Sequence, residues 1–145
     1  MITFGVTMAA SAETQSAPNS PNIVLVLADD MSWFDVGAYH QSSKNLPQNA
    51  ITPNIDQLAR EGMLFTQSFT ATAMCTVTRS QLYTGLYPVR NGAYGNHTRV
   101  YDHVKSVAHY FRDLGYRVGL AGKGHIFPSK SFPFIKAGKE NKGAL

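Results

Sequence analysis

A chain of 145 residues that is 43% hydrophobic and 15% charged has the composition of about one folded globular domain. Its formal charge of +4 is scattered apart from a thin grouping at Lys130, Lys136, Lys139 and Lys142, so no basic stripe with interleaved aromatics marks it for nucleic acid. One cysteine excludes an internal disulfide and paired-cysteine zinc frameworks, and the longest aliphatic run, 23–28, falls far short of the roughly 18 residues of a membrane span.

Residues 1–20 read as a signal peptide followed by a linker rich in Ser, Pro and Asn. A short apolar stretch precedes Ala10-Ser11-Ala12, an A-x-A cleavage pattern, although a basic leading region is missing. Export to a periplasm or the exterior is the corresponding expectation. The run NIVLVLADD, 22–30, is continuously aliphatic until it stops at two carboxylates, and predicts a strand buried on both faces. Residues 31–51, with Gly37, Pro47 and many Ser and Asn, predict a long loop. In TPNIDQLAREG, Thr52 is placed to cap, Pro53 to open and Gly62 to close a helix whose stripe is Ile55, Leu58 and Ala59. MLFTQSFT, 63–70, alternates and predicts a further strand. Residues 78–84 predict a helix closed by Gly85, and YPVRNGAYGNHT, 87–98, is turn chemistry. Ser106 opens another helix, with Val107, Tyr110, Phe111 and Leu114 on one face and Gly115 as its stop. It leads into YRVGLAG, 116–122, a buried strand. This alternation predicts an α/β fold with a largely parallel sheet flanked by helices. Beyond Gly122 the periodicity weakens, and 21–145 reads as the truncated N-terminal part of a larger domain.

Ligands of open α/β sheets bind beyond the carboxyl ends of the strands, and two of the predicted strands end in polar groups. Asp29 and Asp30 follow the first. Adjacent carboxylates repel, which a hard divalent cation would relieve, unless one merely caps a turn and the other is solvated. Lys123 and His125 follow the last, where they form either a surface loop or a cationic, proton-exchanging edge to an anion site. Cys75 lies where a helix opens, which favours a reactive thiolate, against the alternative of a small buried residue. Gln81 excludes a C-x5-R phosphatase loop; Arg79 instead follows Cys75 by about one helical turn. Tyr94, Asn96 and His97 belong to the turn-rich stretch, as surface loop or as pocket lining.

Cys75-Thr76-Val77-Thr78-Arg79 followed by Leu82-Tyr83-Thr84-Gly85 resembles the sulfatase signature, C-x-P-S/T-R leading to a helix that ends in Thr-Gly. PNIVLVLADD, TPNIDQLAREGMLFTQSF and LGYRVGLAGKGH are similar to further segments of that family, in the same order. The resemblance implies an alkaline-phosphatase-like α/β fold and hydrolysis of sulfate esters, small molecules or sulfated glycans. It also implies a formylglycine made from Cys75 by a maturing enzyme. By similarity Asp29, Asp30 and residue 75 would hold calcium, or magnesium. Cys75 would become the nucleophile, Arg79 would orient its hydrated form, and Lys123 would bind sulfate oxygens. His125 would assist proton transfer or meet the leaving group.

Two positions depart from the pattern: Val77 replaces the signature proline, and Gly124 replaces the tryptophan of Lys-Trp-His. The proline fixes φ and lacks an N–H, so Val77 is expected to weaken maturation. The family's remaining metal ligands fall later than His125, and this chain by itself is expected to be inactive. Phosphodiester or phosphonate hydrolysis, and a non-catalytic remnant binding anions or sulfated glycans, remain the alternative functions.

Overall fold

A computed structural model describes residues 20–40 and 50–137. The segment up to residue 19, expected to be signal and linker, residues 41–49 of the expected long loop, and the tail carrying Lys139 and Lys142 lie outside the described residues. In chain order the elements are a 3-10 turn, Trp33–Asp35, then α1, Gly37–His40, α2, Pro53–Glu61, α3, Cys75–Thr84, α4, Pro88–Asn91, and α5, Val107–Asp113. Strand β1, Gly119–Ala121, and β2, Ile135–Ala137, follow. The two strands pair in parallel with Gly119 opposite Ile135 and Ala121 opposite Ala137. Parallel neighbours need a crossover of about a dozen residues, and that crossover carries Lys123 and His125.

The helices agree closely with local chemistry. Pro53 occupies the first turn of α2, where its missing N–H costs nothing, and Gly62 closes the helix. Ser106 and His109 form a reciprocal capping box at the start of α5. Inside the predicted loop, Ser32 and Asp35 build a second capping box around the 3-10 turn. Inside the predicted turn, Pro88 opens one helical turn that Gly92 ends at φ 91°. Helix α3 starts three residues earlier than predicted, because Thr78 N–H already donates to the Met74 carbonyl at 2.9 Å.

Two predicted strands are corrected. Residues 22–30 form no ladder among the described residues, and Val24 and Val26 are 85% and 86% exposed. Residues 63–70 are likewise irregular, with Phe65 and Phe69 exposed. A strand is defined by its partner, and aliphatic composition alone cannot supply one. The third predicted strand is shortened to Gly119–Ala121, the residues that meet β2. The two unpaired runs instead face one another across an open groove lined by Val26, Leu27, Trp33, Phe65, Phe69 and Leu82.

The core lies on the far side of α3. Tyr83, Ala93, Val100, Val104 and Phe132 pack together, with Leu86, Val107, Ile126 and Phe134 against them. Tyr83 meets the rings of Phe132 and Phe134 edge-on at 6.4 and 5.2 Å. Buried Asn91 pins the following loop: its amide donates to the Leu86 carbonyl at 3.0 Å and its oxygen accepts from Ala93 N–H at 2.8 Å. The core therefore fixes α3 against the 92–104 loop and the crossover, the segments that carry the polar cluster.

Gly85 and Gly92 both have positive φ, but only at Gly92 would an added Cβ meet anything, three Tyr101 ring atoms at 3.0 Å. Gly85→Ala should therefore cost only the left-handed backbone penalty, about 1–2 kcal/mol. Gly92→Ala should cost more, read as a lower denaturant midpoint than that of Gly85→Ala. Equal midpoints would contradict the Tyr101 contact.

Candidate functional site

Met74 is extended and Cys75 is the first residue of α3. No side chain of the helix's own N-cap satisfies its first N–H groups. Asn96 does so from a distant turn, its Oδ1 accepting from Thr76 N–H at 3.1 Å, while His97 N–H donates to Thr76 Oγ1 at 3.1 Å. The loop after α4 is thereby clipped to the residue next to Cys75. One turn further, the Arg79 side chain is 6% exposed, and a buried guanidinium requires partners. Its Nη2 donates to Asp29 Oδ1 at 3.0 Å and its Nη1 to the Lys123 carbonyl at 2.9 Å.

Asp29 is the hub. Its Oδ2 accepts from Lys123 Nζ, and Lys123 Nζ is also 3.4 Å from Cys75 Sγ. Cys75 Sγ lies 3.9 Å from Asp29 Oδ1. Asp30, exposed and at φ 52°, turns its carboxylate to the same place: one ligand atom each from Asp29, Asp30 and Cys75 lies within 4.8 Å of the others. A cleft of about 220 Å³ opens there, lined by Asp29, Asp30, Met74, Cys75, Thr78 and Arg79. Of the residues singled out in the sequence, Asp29, Asp30, Cys75, Arg79 and Lys123 are brought together. His125 adjoins them through Lys123, but its hydrogen bond goes to His97, with Nε2 and Nδ1 3.1 Å apart. Tyr94 points away, its hydroxyl on that of Tyr101 at 2.9 Å.

The charges are mutually supportive. Hydrogen bonds from Lys123 first and Arg79 second hold the Asp29 carboxyl below its ordinary 3.8, and the bond to Asp29 holds the Lys123 ammonium above 10.5. Burial, then the neighbouring His97, pushes His125 below 6.5. Residues the sequence reading passed over are Thr76, Asn96 as a cap and His97 as a ring partner. Only the Asn-His pair after a glycine, a pattern suited to a left-handed turn, signalled them.

A family model described as Sulfatase matches residues 21–143. The chain belongs to the sulfatase family. This sulfatase chain is 42% identical over 120 residues to the ulvan-active sulfatase of Formosa agariphila, covering 83% of the chain and 23% of that relative. It is 37% identical over 129 residues to the human N-sulphoglucosamine sulphohydrolase, covering 86% and 24%. To the dog N-acetylgalactosamine-6-sulfatase it is 34% identical over 146 residues, covering 92% and 27%. It thus spans about a quarter of the length of these sulfatases. The sequence's expectation of an alkaline-phosphatase-like α/β fold agrees with this membership. Among the described residues of this sulfatase, no helix is long and apolar enough to cross a membrane.

The pairing at Asp29 sets a pH dependence. Since its folded value is lowered, Asp29 contributes its stabilisation fully above pH 3.8 and loses it as pH falls through that lowered value. Lys123, raised, contributes fully below pH 10.5 and loses its share as pH rises through the raised value. Asp29→Asn should remove its part of the acid limb of a stability–pH curve. At neutral pH it should cost roughly 1–3 kcal/mol, because Arg79 is left buried and under-paired. An unchanged curve in urea titrations would refute the hub.

Proposed function

We propose that this chain carries the nucleophile side of a sulfuric ester hydrolase site, with residue 75 as the attacking group after conversion of Cys75 to formylglycine. One observation carries the reading: Asp29, Cys75 and Lys123, 46 and 48 residues apart along the chain, come within 3.9 Å or less of one another, and Arg79 donates to Asp29 and to the Lys123 carbonyl. A sulfate ester demands an oxygen nucleophile facing sulfur, fixed positive charge on the non-bridging oxygens and a proton for the departing alcohol. Cys75 Sγ stands where the formylglycine oxygen would be. Lys123 Nζ, 3.4 Å from that atom, is at the distance of a clamp on a sulfate oxygen. Arg79, locked between Asp29 and the Lys123 carbonyl, holds the direction of both. His125, beside Lys123, meets the leaving group.

The donor set fits a hard divalent cation. Ligand atoms within 4.8 Å of one another are what two ligands about 2.4 Å from one calcium ion require. A thiol is a poor calcium ligand, whereas an oxygen-bearing residue 75 makes the set all-oxygen, which favours the modified side chain. Calcium, or magnesium, would supply positive charge to an oxygen of residue 75 and to the ester. Asp29, Asp30 and residue 75 would hold it.

Sulfated sugars are the proposed substrate class, because two of the relatives' names specify sulfated hexosamines. The A-x-A pattern at residues 10–12 supports export, with maturation by a formylglycine-generating or sulfatase-maturing enzyme. Val77, which is fully buried, occupies the third position of α3, where a helix makes no use of an N–H. Proline is therefore compatible with the fold there. Hydrolysis of phosphodiesters or phosphonates at the same site is the second reading, supported by the same cationic clamp.

The test is intact-mass analysis of the peptide around Cys75 from a host with a maturing enzyme, followed by turnover of an aryl sulfate against an aryl phosphonate by a protein of the relatives' full length that carries this chain. The expected result is aldehyde at residue 75, a larger converted fraction in Val77→Pro, preference for the sulfate, and no turnover in Cys75→Ala. Lys123→Ala should lower kcat about 100- to 1000-fold. Thiol alone at residue 75 in both proteins, or undiminished activity in Cys75→Ala, would end the proposal.

A further inference from the structure

His97 and His125 come from segments 28 residues apart, yet Nε2 of His125 lies 3.1 Å from Nδ1 of His97, with ring centroids 4.7 Å apart. Two imidazolium rings cannot make this contact, since both facing nitrogens would carry protons; one must donate and the other accept. Burial selects the direction. Nδ1 of His125 is buried without a hydrogen-bond partner, and an orphan buried N–H is rarer and more costly than an orphan lone pair. The His125 proton therefore belongs on Nε2, donated to Nδ1 of His97. The proton of His97 is then on its own Nε2, on an exposed residue.

The backbone supports the same arrangement. His97 and His125 have φ values of 63° and 48°, a left-handed conformation that costs a non-glycine residue about 1–2 kcal/mol. Such strain persists where surroundings over-determine it. Here His97 N–H is held by Thr76 Oγ1, and Asn96 Oδ1 by Thr76 N–H, both at 3.1 Å. The His97 backbone is thus anchored to the residue following Cys75, and its ring reaches across to His125.

We infer that His97 is a positioning residue for the reaction at residue 75, fixing the tautomer and direction of the His125 ring by accepting its Nε2 proton. The assignment rests on the sulfatase reading for its consequence in catalysis, but the contact itself does not. The charged and titratable groups facing His125 are His97, Lys123, Arg79 and Asp29. Together with burial, three of the four disfavour a second proton on the ring, which agrees with a neutral, singly protonated His125.

Two substitutions separate positioning from backbone strain. His97→Gly relieves the left-handed backbone but offers no acceptor. His97→Asn tolerates that backbone and presents an amide oxygen near the position of Nδ1. In nitrogen-15 imidazole spectra of the full chain, His125 should be protonated at Nε2 in the wild type and in His97→Asn. In His97→Gly it should become a mixture of tautomers. In a matured protein of the relatives' full length that carries this chain, His97→Gly should lower kcat for an aryl sulfate about 10- to 100-fold with little change in KM, and His97→Asn should restore most of it. Protonation of wild-type His125 at Nδ1, or His97→Gly matching the wild type in both tautomer and kcat, would overturn the assignment. Absence of turnover in that full-length wild type would count against the sulfatase reading alone, because the spectra still decide the His97–His125 contact.

Discussion

The carboxylate of Asp29 holds three stretches of chain together. One oxygen takes the buried guanidinium of Arg79 and the other the ammonium of Lys123, so the end of the aliphatic run, helix α3 and the β1–β2 crossover are cross-linked at one point. A nearly buried arginine is tolerable only when its charge is met and its fork is occupied. Asp29 and the Lys123 carbonyl do both. The price of loosening this hub is the loss of orientation in every group around residue 75.

Helix α3 mediates between that polar cluster and the core. Thr76, Arg79, Ser80 and Tyr83 are all buried and recur at helical spacing, but only Tyr83 and neighbouring Val77 bring much apolar surface. Its first turns serve the site and its last turn serves the core. Among the described residues, the three non-glycine positions with positive φ, Asp30, His97 and His125, gather at the same end. Strain of this kind concentrates where a side chain has to be aimed rather than merely packed.

On the opposite side the chain leaves apolar surface uncovered. Ile23, Val24, Leu25 and Val26 are all more than half exposed, as are Phe65 and Phe69, and of these Val26, Phe65 and Phe69 line a groove instead of a core. Strands that are aliphatic on both faces need neighbours on both faces, and the described residues supply them on neither. The chain spans about a quarter of the length of its relatives, and its small parallel sheet is the part of an α/β architecture that these residues can close among themselves.

Local chemistry in the sequence determined the helices, because caps, prolines and glycines act within a few residues: Pro53 and Gly62 bound α2, Ser106 caps α5, and Gly85 ends α3. Residue type and position marked Asp29 with Asp30, Cys75 with Arg79, and Lys123 with His125 as separate candidates, and the resemblance carried by Cys75 to Arg79 at a helix start joined them into one expected site. Strand existence was not legible in the same way, since a ladder depends on a partner elsewhere in the chain, and 22–28 and 63–70 lack one here. Which oxygen of Asp29 meets which cation, that Asn96 caps a helix 20 residues earlier, and that His125 turns to His97 were decided by tertiary structure alone. Those contacts join residues far apart in sequence through side-chain directions set only once the core around Tyr83 and Phe132 has fixed the segments that bear them.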